Sequence, residues 1–72
     1  MEVGDRVSID RQHLPHINEF LHPNQTAVFG VIEEMALAKR HTYLTDYIRV
    51  RLTLKDGMCS SWLIQSKYCR KA

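Results

Sequence analysis

A chain of 72 residues has room for one hydrophobic core, and neither a second domain nor a long disordered arm is expected within it. Its 44% apolar and 25% charged residues exclude general disorder, which needs lower hydrophobicity and a stronger net charge. Ten Lys and Arg against eight Asp and Glu, a net charge of +2, exclude the strongly basic class of dedicated polyanion binders.

The first predicted element is a half-buried strand over Asp5 to Asp10, where Val7 and Ile9 alternate with Arg6, Ser8 and Asp10. Gly4 and Asp5 suit the turn before it. From Arg11 to Gln25 the alternation stops, and Pro15, Asn18, Pro23 and Asn24 mark a long first loop. Within it Leu14, Ile17, Phe20 and Leu21 recur at helical spacing, so one or two helical turns are expected to lay that stripe on the core.

Ala27 to Ile32 is a β-branched and aromatic run that reads as a strand buried on both faces, with Gly30 marking a bulge or sharp bend. Glu33 to His41 favours helix by composition but also fits a strand end and loop. The clearest pattern is a hairpin. Tyr47 to Leu54 sets Ile48, Val50, Leu52 and Leu54 against Tyr47, Arg49, Arg51 and Thr53. Asp56-Gly57 supplies a tight turn, and Met58 to Ile64 returns. Gln65 to Tyr68 reads as one tight turn, followed by a short basic end from Cys69 to Ala72.

This order resembles the SH3-like small-barrel superfamily: a Gly-Asp-x-Val opener (Gly4, Asp5, Val7), a long first loop, a Gly-containing second strand, a tight hairpin and a last strand running into a one-turn helix. The resemblance covers nearly the whole chain. It implies a mainly β fold, a single domain over residues 1 to 72, built as a partly open antiparallel barrel of four to five strands. The expected core is Val7, Ile9, Val28, Val31, Ile48, Val50, Leu52 and Ile64. The chain has neither the Ala-Leu-Tyr-Asp-Tyr stretch nor the Trp-Trp pair of signalling SH3 domains, so proline-rich peptides are not the implied ligand. Phe29-Gly30-Val31-Ile32 resembles the KOW motif and suggests RNA binding.

No catalytic residues are assigned. The carboxylates sit mostly at strand ends and turns, Ser60 and Ser61 lack a nucleophile-elbow context, and no Gly-rich phosphate loop precedes a helix. His13, His16 and His22 with Cys59 or Cys69 lack the paired spacing of structural zinc ligands, so neither metal nor cofactor is expected. Two cysteines, no apolar run of the roughly 18 residues that span a bilayer, and no apolar leader at the start of the chain point to a cytoplasmic protein without a membrane role.

The candidate binding residues are Tyr47, Arg49 and Arg51 on the outward side of the third strand, with Lys39 and Arg40 extending the stripe from the preceding loop. Arginine pairs phosphates bidentately and tyrosine stacks on bases; the ordinary alternative is that the arginines keep a wet strand face soluble and guard it against pairing. Trp62 either fills the core or faces a groove beside the first loop as a partner anchor. The expected function is a non-catalytic interaction module for a protein or nucleoprotein partner, of adaptor or inhibitor type. Direct nucleic-acid binding is the alternative, and a homodimer fits so small a core.

Overall fold

A computed structural model describes residues 1–35 and 46–72. Five strands, β1 (Arg6–Asp10), β2 (Ala27–Glu34), β3 (Tyr47–Thr53), β4 (Cys59–Gln65) and β5 (Cys69–Lys71), form one antiparallel sheet in the order β4-β3-β2-β1-β5. The first four make a meander, and β5 returns along β1, pairing Ile9 with Cys69 and Val7 with Lys71. The sheet curls around one core and, among the described residues, stays open between β4 and β5, the mainly β, partly open barrel expected from the sequence. The short basic end supplies the fifth strand, Cys69–Lys71.

Period-two patterning decides which side chains go inside. In β3, Ile48, Val50 and Leu52 are buried while Arg49, Arg51 and Thr53 are exposed. Opposite them Val7, Ile9, Val28, Ile32 and Ile64 complete the lining; each such side chain contributes roughly 1.5–3 kcal/mol on burial. Seven of the eight expected core residues lie here. Val31 does not: it is 39% exposed, and Phe29 is 46% exposed. The run Ala27 to Ile32 therefore is not buried on both faces. Successive side chains of a strand point to opposite sides, and no described element covers the outer side of β2, so Val28, Gly30 and Ile32 point in while Phe29 and Val31 point out.

Gly30 marks a close approach between strands rather than a bulge. A Cβ there would lie 2.7 Å from the Arg51 carbonyl oxygen. The bulge falls two residues later, where Ile32 pairs with Val50 but Glu34 pairs with Arg49. Glu33 is the extra residue. Glu33 and Glu34 thus end a strand; the rest of the helix-or-loop segment, from residue 36 to 41, lies outside the described residues.

The first loop closes one side of the core. It forms two 3-10 turns, Arg11–His13 and Pro15–Phe20, begun by the Asp10 carboxylate accepting from the Gln12 N–H at 3.0 Å. A three-residue turn puts Leu14, Ile17 and Phe20 in register. Leu14, Ile17 and Leu21 are buried and Phe20 packs against them. Arg11 ties the loop together, donating to Asn18 Oδ1 at 3.1 Å and to the carbonyls of His22 and Gln25.

The hairpin turn has positive φ at Asp56 (60°) and Gly57 (75°), the pairing that matches the twist of the strands it joins. After β4, Ser66–Tyr68 makes one 3-10 turn. Tyr68 stacks on His13 with ring centroids 3.9 Å apart, pinning this turn to the first loop.

Candidate interaction face

The outer side of the sheet gathers the side chains that the core rejects. Register places Arg6 opposite Val31, Val31 opposite Arg51, and Arg51 opposite Ser61. Residues directly opposite in antiparallel strands share a face, so this row crosses four strands on one side. A second row joins Phe29, Ser8 and Arg70, and a third joins Glu34, Arg49 and Leu63. Leu63 is 43% exposed. Phe29, Val31 and Leu63 thus share a surface with Arg6, Arg49, Arg51 and Arg70.

The face is not uniformly basic. The bulge at Glu33 turns an extra residue toward it, and two carboxylates reach across the arginine stripe. Glu34 Oε1 lies 3.4 Å from Arg49 Nε, and the Ser61 hydroxyl donates to Glu33 Oε1, which carries that carboxylate across β3 toward β4. Arg6, Arg51 and Arg70 make no ion pair among the described residues. The unneutralised charge is therefore spread over β1, β3 and β5 rather than concentrated on β3.

Of the residues singled out in the sequence, Tyr47, Arg49 and Arg51 do share the outer side. Tyr47 is half-buried, and its hydroxyl accepts from Gln65 Nε2 at 3.1 Å. Lys39 and Arg40 lie outside the described residues. Trp62 is not brought together with the arginines: it pairs with Val50 and faces inward, on the opposite side of the sheet. Its indole lies beside the His16 ring, centroids 4.8 Å apart, and lines an open cleft of about 350 Å³ with Phe20, Leu54 and Met58. Sequence reasoning did not single out Arg6 and Arg70. Their signal was available only for Arg6, through its alternation with Val7; Arg70 acquires its place when β5 pairs with β1.

Among the described residues, no group of three or more His, Cys, Asp or Glu is placed to hold a metal ion. His13 and His16 are instead occupied against aromatic rings. Both thiols are free, Cys59 exposed and Cys69 buried; burial pushes the Cys69 thiol above its ordinary pKa. No helix among the described residues is long and apolar enough to cross a membrane.

No family model matches the chain, and neither a curated protein nor a solved structure matches it.

Proposed function

We propose that this chain is a non-catalytic interaction module of the SH3-like small-barrel kind, docking on a protein partner through its outer sheet face. One observation carries the reading: Phe29, Val31 and Leu63 are each at least 39% exposed on the same side as four arginines. Protein interfaces concentrate aromatic and arginine side chains in this way, because both supply large contact area and arginine is weakly hydrated for a cation. A face needed only for solubility has no use for a phenylalanine at its centre. The partner surface should be acidic around an apolar patch, to meet Arg6, Arg51 and Arg70. Cytoplasmic residence fits two unpaired thiols in a chain this small.

Nucleic-acid binding through Tyr47, Arg49 and Arg51 is the second reading, favoured by the absence of an ion pair on Arg51 among the described residues. Glu33 and Glu34 weigh against it, since a phosphate backbone approaching Arg49 meets two carboxylates first.

Affinity capture compares the wild-type chain with Phe29→Ser and Arg51→Ala, both checked for native circular dichroism. Capture of one stoichiometric, nuclease-resistant protein by the wild type, lost in both variants, supports docking on the outer face. Equal capture by all three ends that assignment. Binding to single-stranded DNA or RNA that falls steeply with salt and weakens in Arg49→Ala and Arg51→Ala establishes the second reading instead.

A further inference from the structure

Among the described residues, the sheet has two open edges of very different character. β5 is three residues long and carries the exposed cations Arg70 and Lys71, the usual protection against unwanted strand pairing. β4 is seven residues long, Cys-Ser-Ser-Trp-Leu-Ile-Gln, and has no charge, proline or bulge. Among the described residues, β4 pairs only with β3.

Hydrogen bonds at both ends of the β3–β4 ladder set its phase. The Leu54 N–H donates to the Met58 carbonyl at 2.7 Å, and the Ser66 N–H donates to the Asp46 carbonyl at 2.8 Å. Alternation between these points turns the backbone groups of Ser60, Trp62 and Ile64 toward β3. Those of Cys59, Ser61 and Leu63 point to the open side, on residues that are themselves exposed.

We infer that β4 pairs antiparallel with β4 of a second copy of this chain, joining two sheets into one across a two-fold axis. The strand is compatible with itself. A register that overlaps its full length sets Ser61 against Leu63 of the partner subunit and Cys59 against Gln65 of the partner subunit, so no charged residue of β4 opposes another; the Glu33 carboxylate bonded to Ser61 stands over the outer side of the sheet rather than in its edge. The arginines of β3 would stand three strand spacings from those of the partner's β3, roughly 14 Å. That exceeds the screening length of about 8–10 Å at ordinary ionic strength, so the net positive charge of each copy does not prevent pairing. A β4–β5 contact between copies would offer three residues at most, two of them cationic. The inference rests on the backbone edge and stands independently of the docking reading. It also places both outer faces on one side of the joined sheet, presenting two copies of the Phe29 patch together.

Sedimentation equilibrium on the untagged chain and amide hydrogen exchange at two protein concentrations test this. The expected mass is twice that of the 8.4 kDa chain, with the Ser61 and Leu63 amides protected more strongly as concentration rises, while the Trp62 amide is protected throughout. Leu63→Lys should raise the dissociation constant at least tenfold, and Val31→Lys, on the same face but away from the edge, should leave it within twofold. A monomer at millimolar concentration, assembly beyond a dimer, or a wild-type dimer whose Ser61 and Leu63 amides exchange independently of concentration would each overturn the inference. Should Leu63→Lys fail to fold, the wild-type exchange pattern decides.

Discussion

Gly30 on β2 rests directly on the Arg51 carbonyl of β3: a Cβ added to Gly30 would sit 2.7 Å from that oxygen, 2.7 Å from Val50 Cγ1 and 3.1 Å from Leu52 Cδ2. Gly30 and Leu52 are paired across the ladder. The missing side chain lets the two strands pack this closely, and the same ladder sets Val31 opposite Arg51 on the outer surface.

Gly30→Ala should therefore destabilise the fold, although alanine has the better strand propensity. The obstructing oxygen belongs to a hydrogen-bonded backbone and cannot swing aside, so the cost is that of overpacking, roughly 1–3 kcal/mol or more. Urea unfolding followed by tryptophan fluorescence measures it; an unchanged midpoint would show that β2 and β3 do not approach this closely.

Two neighbours on β2 should respond very differently to truncation. Ile32 is 1% exposed and Val31 39% exposed. Ile32→Ala should cost about 2–5 kcal/mol by opening a cavity, while Val31→Ala should cost less than about 1 kcal/mol. Equal costs in thermal or urea denaturation would restore the picture of a strand buried on both faces.

Arg11 holds the first loop through bonds to Asn18, His22 and Gln25. Arg11→Met keeps the aliphatic stem and removes every donor. It should speed amide exchange and proteolytic nicking between Asn18 and Gln25, with a global loss of about 1–3 kcal/mol from the carbonyls left without a charged donor. Arg11→Lys should recover only part of this, since one ammonium cannot reach the spread of acceptors that a planar guanidinium spans.

The two thiols should separate by reactivity. At pH 8, Cys59 should be alkylated at the rate of an open thiol, and Cys69 only as fast as the fold opens. Burial raises the folded-state pKa of Cys69, so its neutral form is favoured in the native chain. That stabilisation is fully present below the unfolded thiol pKa of about 8.5 and is lost as pH rises from there through the folded value, because the unfolded chain releases the proton first. The loss of stability in this alkaline window should be smaller in Cys69→Ala, compared by denaturant midpoints at pH 8 and above.

The strand pattern was legible wherever one face alone is apolar. Val7 and Ile9 in β1, and Ile48, Val50 and Leu52 in β3, declare their sides because charged or hydroxyl residues stand between them. β2 departs from the two-faced burial its sequence suggests because Phe29 and Val31 are as apolar as Val28 and Ile32; composition cannot tell a lining side chain from one exposed on a bare face. Gly30 is visible in the sequence as an irregularity, yet whether a strand glycine marks a bulge or a close approach depends on the strand across from it. The arginine stripe of β3 was visible, but not the carboxylates of Glu33 and Glu34 reaching over it, which follow from one extra residue in the β2 ladder.

The sequence by itself determined the class of fold, the long first loop with its apolar stripe, the hairpin at Asp56 and Gly57, and the side of the sheet on which Arg49 and Arg51 stand. These follow from local chain geometry, whose period of two or three residues is written directly into the order of side chains. Only the tertiary structure decided that Arg6 and Arg70 share a surface with Phe29, that Trp62 stands on the opposite side, and that β4, among the described residues, is paired along one side only. Such facts depend on which strands lie side by side, and pairing between distant segments is set by how the whole core closes.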